Sequence, residues 1–305
     1  MTAPPRFLPL TGLYEPSAIQ QIADGRFLVV EDEQEHPFSL VSLEVDGTVK
    51  SRTMGPGWFD GNNAFWKLDD LEGLTGDAEG YLYALTSHSR DDDGEEKKSR
   101  NKLVRFRIEG DRVRDPVVVS GLKPVLVAAH PVLATAARIE DVKSDGGLNI
   151  EALEITPDRQ QLLVGFRSPL LDGAAIIAPI ANPSAIFDAG ELPRLSGDLL
   201  TLDLDGQGIR GMAWIAPLAG YLLISGPASQ AEQAFALWFW SGQPLSPARR
   251  VVVPGLQHFE RGEGLSTAVI DGLAYIVIVS DDGKREKGRF AHFVLLEPGQ
   301  LQISP

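Results

Sequence analysis

The chain has 305 residues, 43% of them hydrophobic and 23% charged, with a formal net charge of −14 and no cysteine. That apolar content excludes a disordered chain, and the missing thiols exclude disulfides and thiolate metal sites. The acidic balance argues against nucleic acid or an anionic membrane surface as a partner. No apolar run approaches the ~18 residues of a spanning helix, and Met1 to Arg6 has no apolar core for export, so a cytoplasmic location is expected.

In chain order, Phe7 to Leu10 reads as an extra strand, expected to join the last structural unit beside Leu296 and residues 301–303. A phrase of one polar, one small and one large apolar residue then recurs five times: Ser17-Ala18-Ile19, Glu72-Gly73-Leu74, Glu151-Ala152-Leu153, Arg210-Gly211-Met212 and Glu263-Gly264-Leu265. Each copy leads through a tight turn into a second apolar run, such as Phe27-Leu28-Val29-Val30 or Tyr275-Ile276-Val277-Ile278-Val279. Such runs fit strands buried on both faces. Hairpin signals follow at Asp46-Gly47, Glu109-Gly110-Asp111 and Ser241-Gly242. One unit of this kind cannot bury both faces of its sheet, so neighbours must stack and close a circle. The expected fold is all-β, a five-bladed β-propeller of four-stranded blades, with residues 1–305 forming a single domain. Six blades are the alternative, the extra one lying between Pro116 and Gly147.

Three inserts interrupt the pattern. Met54 to Lys67 is a loop whose four large aromatics, Trp58, Phe59, Phe65 and Trp66, are expected to pack onto something or to dock a partner. Residues 89–101 are a charge run in which Asp91, Asp93 and Glu95 alternate near Gly94 as calcium ligands do, but without EF-hand spacing, so a solvated mobile loop is expected. The alanine-rich stretch 124–143 is expected to hold one short helix, confined to its later half by Pro124 and Pro131.

In a four-stranded blade, two of the four connections emerge on each face, and every long or composition-biased segment here falls on the connections of one face. Binding residues concentrate on loops carried by rigid scaffolds, so that face is the candidate. The five phrase-starting residues, Ser17, Glu72, Glu151, Arg210 and Glu263, open on it at the mouth of the central channel. Converging acids repel unless something positive sits among them. The positive charge could be Ca²⁺ or Mg²⁺ held by Glu72, Glu151 and Glu263, or Arg210 bridging the three in an ion-pair network; a metal-free ligand pocket is the third possibility. His88 is a candidate proton-transfer group, and His258 is the other histidine of interest on this face.

The pieces Asp70-Leu71-Glu72-Gly73-Leu74, Ser87-His88-Ser89-Arg90, Asn149 to Leu153, Gly165 to Leu170 and Gly208 to Met212 resemble an uncharacterised bacterial family, domain of unknown function 3616. That resemblance implies a propeller and no established activity. The repeated Glu-Gly-Leu also resembles the propellers labelled phytase-like esterases, which would imply metal-assisted ester or phosphoester hydrolysis. Ala152 and Ser17 depart from that phrase. The expected function is therefore a hydrolase of a small ester or phosphoester. Glu72, Glu151 and Glu263 would hold the cation, Arg167 and Arg210 would neutralise an anionic or polar ligand in the funnel, and His88 would move the proton. The alternative is a non-catalytic propeller that docks a ligand or partner protein.

Overall fold

The computed structural model describes residues 4–32, 37–56, 64–229, 234–256 and 261–305. Trp58, Phe59, His36 and His258 lie outside those residues. After β1 (Leu8–Leu10), the first blade holds β2 (Pro16–Gln21), β3 (Phe27–Glu31), β4 (Phe38–Leu43) and β5 (Val49–Thr53). The second holds β6 (Leu71–Gly76), β7 (Leu82–Thr86), β8 (Leu103–Glu109) and β9 (Arg112–Val119). The third is β10 (Asn149–Ile155), β11 (Leu162–Ser168), β12 (Ala175–Ile180) and β13 (Leu200–Leu202). The fourth is β14 (Gly208–Ile215), β15 (Gly220–Gly226), β16 (Ala236–Trp240) and β17 (Arg249–Val252). The fifth takes β18 (Gly262–Ile270), β19 (Leu273–Ser280) and β20 (Ala291–Leu296), and β21 (Gln302–Ile303) follows. The fold is a five-bladed β-propeller of antiparallel blades.

The apolar runs become strands buried on both faces because every blade is sandwiched between two others; all of β3, β7, β12 and β16 is buried. Five hydrophobic clusters fill the five inter-blade spaces. Leu28, Phe38, Leu82 and Phe106 pack between blades one and two, and Leu10, Val29, Val277 and Phe293 between blades five and one. Each fully buried side chain of this kind contributes ~1.5–3 kcal/mol, so the ring is held by repetition rather than by one centre.

The circle closes as expected at one end and differently at the other. Strand β1 pairs with β20, Leu8 opposite Phe293 and Leu10 opposite Ala291, and supplies the outer strand of the last blade. The sequence pattern places residues 301–303 there too, but β21 pairs with β17 of the fourth blade, Val251 opposite Ile303. The outer edge of β20 is already taken by β1, so the chain end covers the next open edge.

The stretch from Pro116 to Gly147 finishes β9 and then forms no blade. It carries α1 (Leu122–Ala129), α2 (Pro131–Ala136) and α3 (Val142–Asp145) rather than one helix. The prolines start helices instead of confining one: Pro124 falls in the first turn of α1 and Pro131 opens α2, where a missing N–H costs nothing. A further helix, α4 (Pro183–Ala189), packs Phe187 against Tyr83. Among the described residues, no helix is long and apolar enough to cross a membrane.

The inner strands β2, β6, β10, β14 and β18 surround the axis in that order. Their small residues set how closely they approach. A Cβ on Gly73 would stand 2.7 Å from Leu153 Cβ, one on Gly264 2.7 Å from Ala18 Cα, and one on Gly211 1.9 Å from Glu263 O. The second residue of the repeated phrase is small because the next inner strand lies against it. These residues form a waist that separates an upper funnel from a lower mouth.

Candidate functional site

Every inner strand breaks register at the same place. Pairing jumps from Pro16 to Ala18, Leu71 to Gly73, Ile150 to Ala152, Ile209 to Gly211 and Gly262 to Gly264. The skipped residues are Ser17, Glu72, Glu151, Arg210 and Glu263. A bulge adds one unpaired residue and re-aims its side chain, and all five line one cavity of about 600 Å³ above the waist. The expected convergence is therefore met, through a device that the sequence pattern alone does not reveal.

The ring is electrically uneven. Arg210 Nη1 lies 2.8 Å from Glu151 Oε2 and donates to Oε1 at 3.1 Å, while its Nη2 bonds Glu263. Glu151 Oε1 also accepts from Arg167 Nη1 at 3.1 Å and from Asn149 Nδ2 at 2.9 Å, and Arg167 Nε donates to Pro227 O at 3.1 Å. Arg210 is 8% exposed, and burial draws it below the usual guanidinium range against the pull of Glu151. The arginine thus joins two of the three glutamates.

Glu72 is the one left over. Its carboxyl makes no hydrogen bond or ion pair to any described residue. Burial first, then the charges of Glu151, Asp70 and Asp32, hold it well above the ordinary carboxylate range. Asp70, two residues earlier, is also raised by burial, though Arg100, Ser87 and Ser89 work against the shift. Ser87 Oγ donates to Asp70, Ser89 Oγ donates to it at 3.1 Å, and Arg100 Nη1 lies 3.1 Å away. Asp281 is raised by burial and opposed by Arg210 and Arg261. The funnel therefore carries crowded acids whose carboxyls burial raises, beside arginines already engaged. Carboxylates in the lining outnumber cationic side chains by more than two to one.

The other candidates separate. His88 is fully buried, has φ 57°, and its Nδ1 donates to Thr86 O at 2.7 Å. Ser89 lines the funnel and His88 does not; burial brings its imidazole down to about 4, so it is neutral, and Nε2 has no partner among the described residues. Asp91 accepts from the amides of Asp93 at 3.1 Å and Glu95 at 2.7 Å and pairs with Lys97 at 3.0 Å, closing a hydrogen-bonded turn. Phe65 is interior, stacked on Phe38 at 5.2 Å, with Trp66 edge-on to both. These two thus form part of the packing between blades one and two rather than an aromatic docking face.

Among the described residues no group of three or more His, Asp or Glu is arranged to hold a metal ion. Glu72, Glu151 and Glu263 do not fit that role as placed, because Arg210 occupies the position between Glu151 and Glu263. Sequence reasoning also misses Arg100 and Asn149, which brace the acids, and residues 140–144 of the helical insert, which line the funnel. The pairing of Arg100 with Asp69 and Asp70 crosses about thirty residues and leaves no periodic trace.

Fold and site together define a five-bladed propeller with an acidic funnel on its loop-rich face. The chain belongs to the DUF3616 family, proteins of unknown function, whose profile matches residues 131–286. No curated protein matches it. Among solved structures, a protein of Thermus thermophilus described as an oxidoreductase (glucose dehydrogenase) is similar over 96% of this chain and 100% of its own, at 16% identity and TM-score 0.48. The PQQ-bound aldose sugar dehydrogenase of Streptomyces coelicolor is similar over 99% of both chains, at 13% identity and TM-score 0.44. Hydrazine synthase of Kuenenia stuttgartiensis covers 92% of this chain and 74% of its own, at 11% identity and TM-score 0.40. None of these is a phytase-like esterase, and no activity is carried over from them.

Proposed function

We propose that the protein is a ligand-binding propeller whose funnel takes a small polar molecule through a positively charged group. The supporting observation is Glu72, a channel-facing carboxyl without a hydrogen bond or ion pair to any described residue, beside Asp70 and Asp32 and within reach of Glu151's charge. Like charges so placed hold a proton until a cation replaces it. The surplus of carboxylates favours a cationic group over an anionic one, and Arg167 and Arg210 are already engaged by Glu151. Binding would expel the proton from Glu72, so affinity should rise with pH.

Metal-assisted hydrolysis of a small ester or phosphoester would need Glu72, Glu151 and Glu263 on one ion. The donor set does not fit, and no step is derived through a metal. Thermal shift tests both readings. A panel of small amines, carboxylates, Ca²⁺, Mg²⁺ and Mn²⁺ is applied to the wild type and to Glu72→Gln, since a ligand bound only by the native state raises the midpoint. The cationic reading expects organic amines to raise the midpoint of the wild type by more than that of Glu72→Gln. A divalent ion that does so restores the metal. Carboxylates acting equally on both proteins would defeat the role of Glu72.

A further inference from the structure

Below the waist, the lower mouth of the channel opens into a second cavity of about 190 Å³. Its polar centre is Glu154, 8% exposed, three residues along β10 from Glu151. The carboxyl is held from both sides: Oε2 accepts from the Thr75 hydroxyl of blade two at 2.8 Å, and Oε1 from the Trp214 amide of blade four at 2.9 Å. Neither donor is charged. Arg159, on the cavity wall, is bonded to Glu79, and Asp77 accepts from Tyr83 Oη at 3.0 Å. Burial pushes the Glu154 carboxyl up to about 7, with no neighbouring charge contributing.

A buried carboxylate without a cation is costly, and a perturbed acid in a cleft points to a site. A carboxylate has about four acceptor positions, of which the protein uses two. Two of the neighbouring hydroxyls have already given their protons away: Thr156 to Asp158 at 2.6 Å and Ser266 to Thr267 O at 3.0 Å. The wall is thus rich in acceptors, with Pro157 and Ala213 as apolar surface beside it. A primary ammonium carries three donors and no acceptor. The volume equals roughly six waters, enough for a short-chain amine. We infer that the lower cavity is a binding site for a small molecule presenting a primary ammonium group, with Glu154 as its counter-ion.

The rival is that Glu154 only clamps blades two, three and four together. Calorimetric titration of n-propylammonium chloride at pH 8 into the full chain carrying Glu72→Gln, which silences the funnel, separates them. Saturable binding is expected, at least tenfold weaker when Glu154→Gln is added, and no binding of n-propanol to either protein. Glu154→Gln alone should fold and melt no lower than the wild type at pH 8. Equal binding with and without Glu154→Gln, no binding to the Glu72→Gln chain, or a midpoint lowered by Glu154→Gln would each overturn the inference. The funnel reading would be unaffected by any of these.

Discussion

Arg210 Nη1 stands 2.8 Å from Glu151 Oε2, joining the bulges of two adjacent blades in the wall of the funnel. The same guanidinium bonds Glu263 on its other side, so one cation ties blades three, four and five at the axis. Removing one partner of a buried pair leaves an uncompensated charge, which typically costs 3–5 kcal/mol. Arg210→Ala should therefore lower the free energy of unfolding by about 3–5 kcal/mol in urea. The loss should shrink when Glu151→Gln and Glu263→Gln are present as well. Equal losses in both backgrounds would mean that the arginine acts through packing alone.

Glu72 predicts the opposite sign. Its proton is held more tightly in the folded chain than in the unfolded one, so its contribution to stability declines as pH rises from the ordinary carboxylate value toward the raised one. Glu72→Gln should raise the melting midpoint at pH 7.5, by about 0.5–2 kcal/mol in stability, and flatten the fall of stability with pH. Glu151→Gln, which loses partners on two arginines, should be destabilising under the same conditions. A matching loss from Glu72→Gln would show that Glu72 has a partner in solution.

The waist predicts steric effects that charge cannot mimic. A Cβ at Gly211 meets backbone, Glu263 O at 1.9 Å, and backbone cannot swing aside. Gly211→Ala should cost about 1–3 kcal/mol or more. In blade three the small and larger partners are exchanged: Ala152 stands opposite Gly165, where a Cβ would approach Ala152 Cβ at 2.9 Å. Gly165→Ala should be destabilising by chemical denaturation, and Ala152→Gly added to it should recover part of the loss. No recovery would place the clash on Ile209, 3.1 Å from the same Cβ.

These contacts show what the chain makes legible. Polar, small, large is a local pattern, repeated because each position has one neighbour type: the funnel, the adjacent inner strand and the space between blades. The blade count and the closing role of β1 follow from it. The bulge does not, because register is a property of two strands. His88 escapes the pattern for a related reason. Alternation places Ser87 and Ser89 on the side of Asp70 and turns His88 the other way, at a left-handed backbone position that composition does not mark. Glu154 leaves no signal in the sequence because its partners, Thr75 and Trp214, come from two other blades.

His88 and Glu154 make a last prediction, since burial moves them in opposite directions across one pH window. The His88 imidazole falls from 6.5 to about 4. The folded chain then binds fewer protons than the unfolded one, and stability is lost as pH drops from 6.5 toward 4. The Glu154 carboxyl rises from 4.5 to about 7. The folded chain then binds more protons, and stability is lost as pH climbs from 4.5 toward 7. Each contribution is on the order of 3–4 kcal/mol across its range, so in the wild type they oppose each other between pH 4.5 and 6.5. Glu154→Gln should tilt the stability profile upward with pH over that interval, and His88→Gln should tilt it downward. Urea unfolding at half-unit steps reads both slopes, and the slope is insensitive to whatever each substitution does to packing. If Glu154→Gln leaves the profile unchanged, the carboxyl is ionised throughout the interval and water reaches it from the lower mouth.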